Sequence, residues 1–296
     1  MRDFSFIILT YNEEQHLPRL LNSLYPLKAP IFILDSGSTD ATLDIARKFN
    51  ANIQTHPFEN HPKQWHHALT VFNIETPWII GLDADHIVSP ELFSILDNFN
   101  TNLIPNDING IYFNRKNYFK GKWIKHGGYF PKYLLKMFRK GQGFSDLNEN
   151  MDHRFIVNGK TIVWNTGILL EENLKENQIS FWIQKHNRYS DLVAEEEWER
   201  RKNMRNQTLT PSLWGNPDQK IAWMKSIWWK LPLFVRPFLY FFYRYFAQLG
   251  ILDGKRGFMF HFLQAFWFRL IVDIKIYEKQ RAEQKKPLSA FPSNPS

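Results

Sequence analysis

The chain has 296 residues, of which 44% are hydrophobic and 22% charged, a globular composition that excludes an intrinsically disordered chain. A formal net charge of +8 directs it toward an anionic partner, either phosphates or an acidic membrane surface, and the absence of cysteine excludes a disulfide framework. Met1-Arg2-Asp3-Phe4 runs straight into a strand without the long apolar core of a signal peptide, so the body of the protein is expected in the cytosol.

In chain order, Phe4 to Leu9 is an apolar, β-branched run that predicts a buried strand. It ends at Thr10-Tyr11-Asn12-Glu13. Leu17, Leu20, Leu21 and Leu24 then recur at helical spacing, with Thr10 or Asn12 as the expected cap. Ile31 to Leu34 predicts a second strand, closed by Asp35-Ser36-Gly37-Ser38-Thr39-Asp40, residues that also suit a turn and a helix cap. A helix through Leu43, Ile45, Ala46 and Phe49, a short strand at 51–55 and a helix at 64–72 lead to Trp78-Ile79-Ile80-Gly81-Leu82-Asp83-Ala84-Asp85. Strands alternating with helices imply an α/β fold with a mostly parallel sheet covered on both faces. Right-handed crossovers then bring every strand's C-terminal end to one edge, the edge where open α/β sheets bind ligands.

Asp83 and Asp85 are separated by one residue. In an extended chain they project to the same side and can converge on one cation. Two hard oxygen ligands suit Mg²⁺ or Mn²⁺, which takes its remaining ligands from phosphate oxygens and water.

Three segments together resemble family 2 glycosyltransferases of the GT-A fold, and among them the lipopolysaccharide-core and cell-envelope sugar transferases. They are Ile8-Leu9-Thr10-Tyr11-Asn12-Glu13-Glu14, Leu34-Asp35-Ser36-Gly37-Ser38-Thr39-Asp40, and Leu82-Asp83-Ala84-Asp85. The resemblance is strong over roughly the first 100 residues and continues to about Tyr189. It implies a nucleotide-sugar donor, with Thr10, Tyr11 and Glu13 on the nucleotide, Asp35 by the base or ribose and Gln64 at the donor site. Asp83 would lie near the ribose and metal, and Asp85 would be the more direct metal ligand. Relatives often carry a second acid where this chain has Ser36.

Displacement of a nucleoside diphosphate by a hydroxyl also needs a carboxylate to take the acceptor's proton. Candidates lie in Asp146 to Arg154, where relatives carry a His-Glu or Glu-Asp pair. Asp152, immediately before a strand expected at 154–157, is the first choice and Glu149 the second. Lys120 to Tyr129, with glycines beside aromatics and bases, suits an acceptor or phosphate loop with Trp123 and His126 as contacts, although a basic hairpin turn reads equally well, and within it Trp123-Ile124-Lys125-His126-Gly127-Gly128 resembles the relatives' Trp-x-x-His-Gly-Gly segment. Trp182, Lys185, His186 and Tyr189 share one face of an expected helix, and the resemblance puts Lys185 near phosphate.

From Trp214 to Tyr277 aromatic residues become dense while acids nearly vanish. Prolines and arginines interrupt every candidate span, so helices lying in the membrane interface are expected, with Leu249 to Gly254 as the turn between two of them. A buried helical subdomain or dimer face is the competing account. The expected organisation is a GT-A catalytic domain at 1–210, an amphipathic membrane-interface region at 211–280 and a disordered tail at 281–296. The full expectation is an inverting, metal-dependent glycosyltransferase acting on a lipid-linked or lipopolysaccharide-type acceptor, peripheral to the cytoplasmic face of the inner membrane. It binds no nucleic acid. The alternatives are a nucleotidyltransferase, or a non-enzymatic protein binding a membrane or nucleic acid, which the absence of a Gly-rich phosphate loop and of any nucleic-acid module disfavours.

Overall fold

The computed structural model describes residues 2–149, 153–202 and 208–285. The first half alternates as expected through β1 (Phe4–Thr10), α1 (Leu17–Leu24), β2 (Ile31–Asp35), α2 (Thr42–Lys48), β3 (Asn52–Thr55), α3 (His61–Val71) and β4 (Trp78–Asp83), and then adds β5 (His86–Val88) and α4 (Pro90–Asp97), which were not expected. The second half begins with β6 (Ile108–Phe119), β7 (Lys122–Ile124), β8 (Tyr133–Arg139), β9 (Gly143–Ser145), β10 (Phe155–Val157) and β11 (Lys160–Glu171). It closes with α5 (Ile179–Arg201), α6 (Pro217–Trp228), α7 (Arg236–Phe242), α8 (Gly254–His261) and α9 (Phe268–Gln284).

One sheet runs in the order β3-β2-β1-β4-β8-β6-β11-β5, with β7 paired to β6. All seven residues of β1 are buried because both faces of the sheet are covered. Phe4, Phe6 and Ile8 pack with Leu17, Leu20, Leu21 and Leu24 of α1, while Ile7 and Leu9 pack with Trp65 and Ala68 of α3. The β3-β2-β1-β4 half is parallel; beyond β4 the pairing is mixed, since β8 runs antiparallel to both β4 and β6. This is the α/β plan the resemblance implied, with parallel strands confined largely to the β3-β2-β1-β4 half.

Two local expectations are corrected. Neither Thr10 nor Asn12 caps α1, which starts after His16 without a side-chain cap. Thr10 instead donates to Asp35, and the Asn12 side-chain oxygen accepts the Thr39 N–H, because both residues are recruited across the sheet edge. The strand bearing the carboxylate pair stops at Asp83, and Asp85 lies in a turn. His86 closes that turn: its Nδ1 accepts the Asp83 N–H at 2.9 Å.

The aromatic C-terminal segment is two-sided. Phe260 joins Phe119, Ile124 and Trp182 in one cluster, and Phe268, Val272 and Ile276 pack on Ala194 of α5 in another. α9 continues to Gln284, past the boundary expected at 280 and into the segment expected to be disordered; the rest of that tail lies outside the described residues. A fully buried guanidinium clasps these helices. Arg236 donates from Nε to Asp273 at 2.8 Å and from Nη2 to Glu197 at 2.6 Å, tying α7 to α9 and α5. Removing one member of such a cluster strands a buried charge. Asp273→Ala is therefore expected to lower the unfolding free energy by about 3–5 kcal/mol, read from chemical denaturation; a change within experimental scatter would refute a structural role.

Candidate functional site

The three polar knots meet at one edge. Register pairs Thr10 with Asp35 across β1 and β2, and Leu9 with Asp83 across β1 and β4. Their carboxylates nevertheless do different work. Asp35, fully buried, accepts from the N–H groups of Gly37 and Ser38, from the Ser38 hydroxyl and from Thr10. It shapes the loop after β2. Gln64 is buried rather than solvated, and its Nε2 donates to Ser36 Oγ and to the His56 carbonyl, tying α3 to that loop. Glu13 pairs with Lys175 at 3.2 Å and contacts His16. Tyr11 stands 57% exposed at the same edge, a ring free to stack on a planar ligand.

Asp83 and Asp85 sit in opposite electrostatic settings. Burial alone would raise the Asp83 carboxyl, but the Lys136 ammonium at 2.9 Å, supported by His61 at 3.5 Å and His86 at 3.7 Å, holds it well below the usual carboxylate range. Asp85 is raised by its own burial and then by Glu171 and Asp83 beside it. Its hydrogen bond comes from Asn173 Nδ2 at 3.2 Å. Glu171 is occupied by Arg115 at 2.7 Å and by His86, whose Nδ1 is already an acceptor so that Nε2 is the protonated nitrogen facing Glu171 at 3.3 Å. Among the described residues no three metal-ligating side chains gather. Two carboxylates, one of them with its charge poorly compensated by protein cations, still fit a hard divalent ion that completes its shell with diphosphate oxygens and water.

Asp83 opens onto a cavity of about 320 Å³, lined also by His61, Arg115, Lys136, His153 and Glu171. His153 stacks on Trp65 with ring centroids 5.2 Å apart, and its Nδ1 lies 3.2 Å from Ser145 Oγ. Ser145 gives its proton to the Pro62 carbonyl, so Nδ1 must be the donor and Nε2 carries the lone pair. Burial, with His61 and Lys136 nearby, keeps the imidazole neutral well below its ordinary pKa.

The expected base Asp152 lies outside the described residues, one position before His153. Glu149 does not line this cavity; it is buried among Arg154 at 3.1 Å, Arg200 at 3.7 Å and Lys225 at 3.9 Å. Burial and the neighbouring Glu196 push its carboxyl up to about 7 despite those cations. The folded state thus holds a proton that the unfolded chain releases near pH 4.5, and stability is expected to fall as pH rises from about 4.5 to 7. Glu149→Gln should flatten that slope in thermal melts taken across the window, and an unchanged slope would assign it elsewhere.

The remaining expected contacts are drawn into packing. Lys120 and Gly121, both at positive φ, form the β6–β7 hairpin turn, so the hairpin reading of this segment holds. Trp123 packs edge-on against Phe130, under Lys116 at 4.6 Å. His126 turns its ring to Asp253 at 2.8 Å. Lys185 pairs with Glu176 at 2.7 Å yet also bears electrostatically on Asp85.

The reading from sequence missed Lys136, His61, Arg115 and Glu171, and placed His86 in the polar cluster at the end of β4 without giving it a role. Lys136 alone left a trace, a charge inside the apolar run Leu134 to Phe138.

The protein-family model for glycosyl transferase family 2 matches residues 5–153. The lipopolysaccharide core biosynthesis glycosyltransferase LpsC of Rhizobium meliloti (strain 1021) is 28% identical over 211 residues, 68% of this chain and 74% of that protein. An uncharacterized glycosyltransferase of Rickettsia bellii (strain RML369-C) is 32% identical over 91 residues, only 31% of this chain and 30% of the relative. Among solved structures, S. aureus TarS 1-349 aligns over 97% of this chain and 93% of its own length with 14% identity and a TM-score of 0.42. Glucosyl-3-phosphoglycerate synthase from Mycobacterium tuberculosis, in complex with Mn²⁺ and UDP, aligns over 38% of this chain and 43% of its own with 21% identity and a TM-score of 0.33.

Proposed function

The chain belongs to glycosyl transferase family 2, and from that membership we propose that it transfers a sugar, with inversion, from a nucleotide-sugar donor to a lipid-linked or lipopolysaccharide-type acceptor in envelope glycan synthesis. The observation that carries this reading is the meeting of the Thr10–Asp35 edge with the end of β4, where Asp83 opens onto the cavity and Asp85 follows in the next turn. The name of LpsC supports the acceptor class.

In this reading Asp85, with help from Asp83, would hold Mg²⁺ or Mn²⁺, whose charge would offset that of the departing diphosphate. Tyr11 offers its exposed face to the base. Asp35 and Gln64 hold the loop after β2 in the shape the nucleotide meets, while Lys136 keeps Asp83 ionised. Asp152 takes the proton of the acceptor hydroxyl. Lys185 adds positive potential at Asp85. The enzyme works as a peripheral protein on the cytoplasmic face of the inner membrane.

A panel of nucleotide-sugars, each with and without Mn²⁺, tests the donor assignment through thermal stabilisation, since a ligand that binds only the folded state raises its melting point. One donor should stabilise the protein in a metal-dependent way and slowly yield nucleoside diphosphate. Release of pyrophosphate from a nucleoside triphosphate would instead make it a nucleotidyltransferase.

A further inference from the structure

The hairpin of α7 and α8 presents an apolar row to solvent. Val235, Phe238, Leu239, Phe242, Phe246 and Leu249 recur at the spacing of one helical face, and each is between 48% and 55% exposed. Ile251 and Leu252 continue the row around the turn Gly250–Asp253, and Phe258 and Phe262 extend it along the returning helix. An apolar surface this continuous marks an interaction site on a soluble domain.

Charge identifies what covers it. Between Trp214 and Tyr277 the only acids are Asp218, Asp253 and Asp273. Asp253 and Asp273 are buried, and Asp218 accepts from Tyr112 at 2.7 Å. Lys255 and Arg256 are exposed beside Ile251 and Leu252. Rings and aliphatic chains rimmed by cations, with no carboxylate at the surface, match anionic lipid headgroups over acyl chains. A second copy of the chain would bring the same cations against themselves.

A bilayer span does not suit this element. The helix Gly250–Gln284 is long enough, with a mean hydropathy of 1.2 over its most apolar stretch. Yet that helix is packed along one side on Ala194 of α5 and holds the buried Asp273 against Arg236, so it lies along the domain.

The hairpin is also tied to the segment after β6. The Asp253 carboxylate accepts the N–H of Lys125 at 3.3 Å, the N–H of His126 at 2.9 Å and the His126 ring at 2.8 Å. Gly127 donates to the Gln248 carbonyl at 2.8 Å. A Cβ at Gly127 would fall 2.1 Å from His261, and one at Gly128 2.5 Å from Gln248, so the two parts seat with no space between them. That segment is continuous with β6, whose Arg115 lines the cavity.

We propose that residues 234–262 insert their apolar row into the surface of an anionic bilayer, with Lys255 and Arg256 at headgroup level. Through Asp253 this docking holds residues 122–128, and with them the transfer site, toward the membrane that carries the acceptor. The docking stands independently of the glycosyltransferase assignment, whereas its purpose rests on it.

The test uses the full-length protein and vesicles of phosphatidylglycerol or phosphatidylcholine, without donor or acceptor, so that a wrong enzymatic reading cannot affect it. Cosedimentation is expected with phosphatidylglycerol, weakened by salt, and much less with phosphatidylcholine. Phe242→Ser with Leu249→Ser should lower the partition coefficient roughly ten- to a hundredfold. Lys255→Gln with Arg256→Gln should lower it roughly tenfold and reduce the salt dependence. Melting points equal to wild type would establish that both variants fold. Amide exchange in residues 122–128 should slow on vesicle binding in the wild type and not in Asp253→Ala. Equal binding to both lipids would overturn the electrostatic part, and an indifferent 122–128 segment would overturn the coupling. Failure to bind vesicles, or a dimer abolished by the Phe242/Leu249 variant, would overturn the proposal as a whole.

Discussion

Asp152→Asn is expected to reduce sugar transfer by about 10²- to 10⁴-fold, the usual contribution of a positioned general base. The substitution keeps the side chain's size and removes its basicity. Binding of the nucleotide donor should be unchanged, because the proposed donor edge is built from β1, β2 and β4. The pair of measurements is a turnover assay and a donor titration on the same preparation. Loss of donor binding together with turnover would mean a structural defect instead. Retained turnover would move the base to His153, which lines the cavity with its Nε2 lone pair uncommitted, and His153→Asn would then carry the loss. Glu149 is the weaker substitute because it does not line that cavity and is engaged by Arg154 and Arg200.

The second large effect is expected at Asp85. A bound divalent ion is worth several kcal/mol to a departing diphosphate, so Asp85→Ala should cost about 10³-fold in transfer. The readout that does not depend on turnover is calorimetry. Wild type should bind nucleoside diphosphate more tightly with Mn²⁺ than without it, and Asp85→Ala should bind it equally in both conditions. Asp83→Ala is expected to act differently, since it also releases Lys136 and His61 from their shared carboxylate. If Asp85→Ala retained its metal response, the ion would be held by other groups and the assignment of this pair would fail.

The contrast between the two carboxylates shows where reading the sequence stopped. Their convergence was expected from alternation along a strand, but the strand ends at Asp83 and a turn closed by His86 carries Asp85. The outcome, two acids at one sheet edge, survives; the route to it differs. Caps failed in the same way. Thr10 and Asn12 have the right chemistry for a helix start, yet both are engaged by the β2 loop, since a hydrogen bond across the sheet edge competes with a local one. For Trp123 and His126 the residues lay within the matched motif, while the partner that engages His126, Asp253, is far away along the chain.

By itself the sequence determined the strand and helix order of the first half, the family, and the placing of three polar clusters at strand ends. The element order and the placing follow from local periodicity and from the fixed handedness of crossovers, which need only neighbouring residues, and the family from the likeness of three short motifs. Only the tertiary structure decided that Lys136 neutralises Asp83 while Glu171 crowds Asp85, that Gln64 is buried, and that Phe260 of the C-terminal hairpin packs with Trp182 of α5 while the hairpin's other face meets solvent. Each of these depends on side chains from distant segments meeting across a low-dielectric interior, where proximity and burial set the charge state and residue type alone does not.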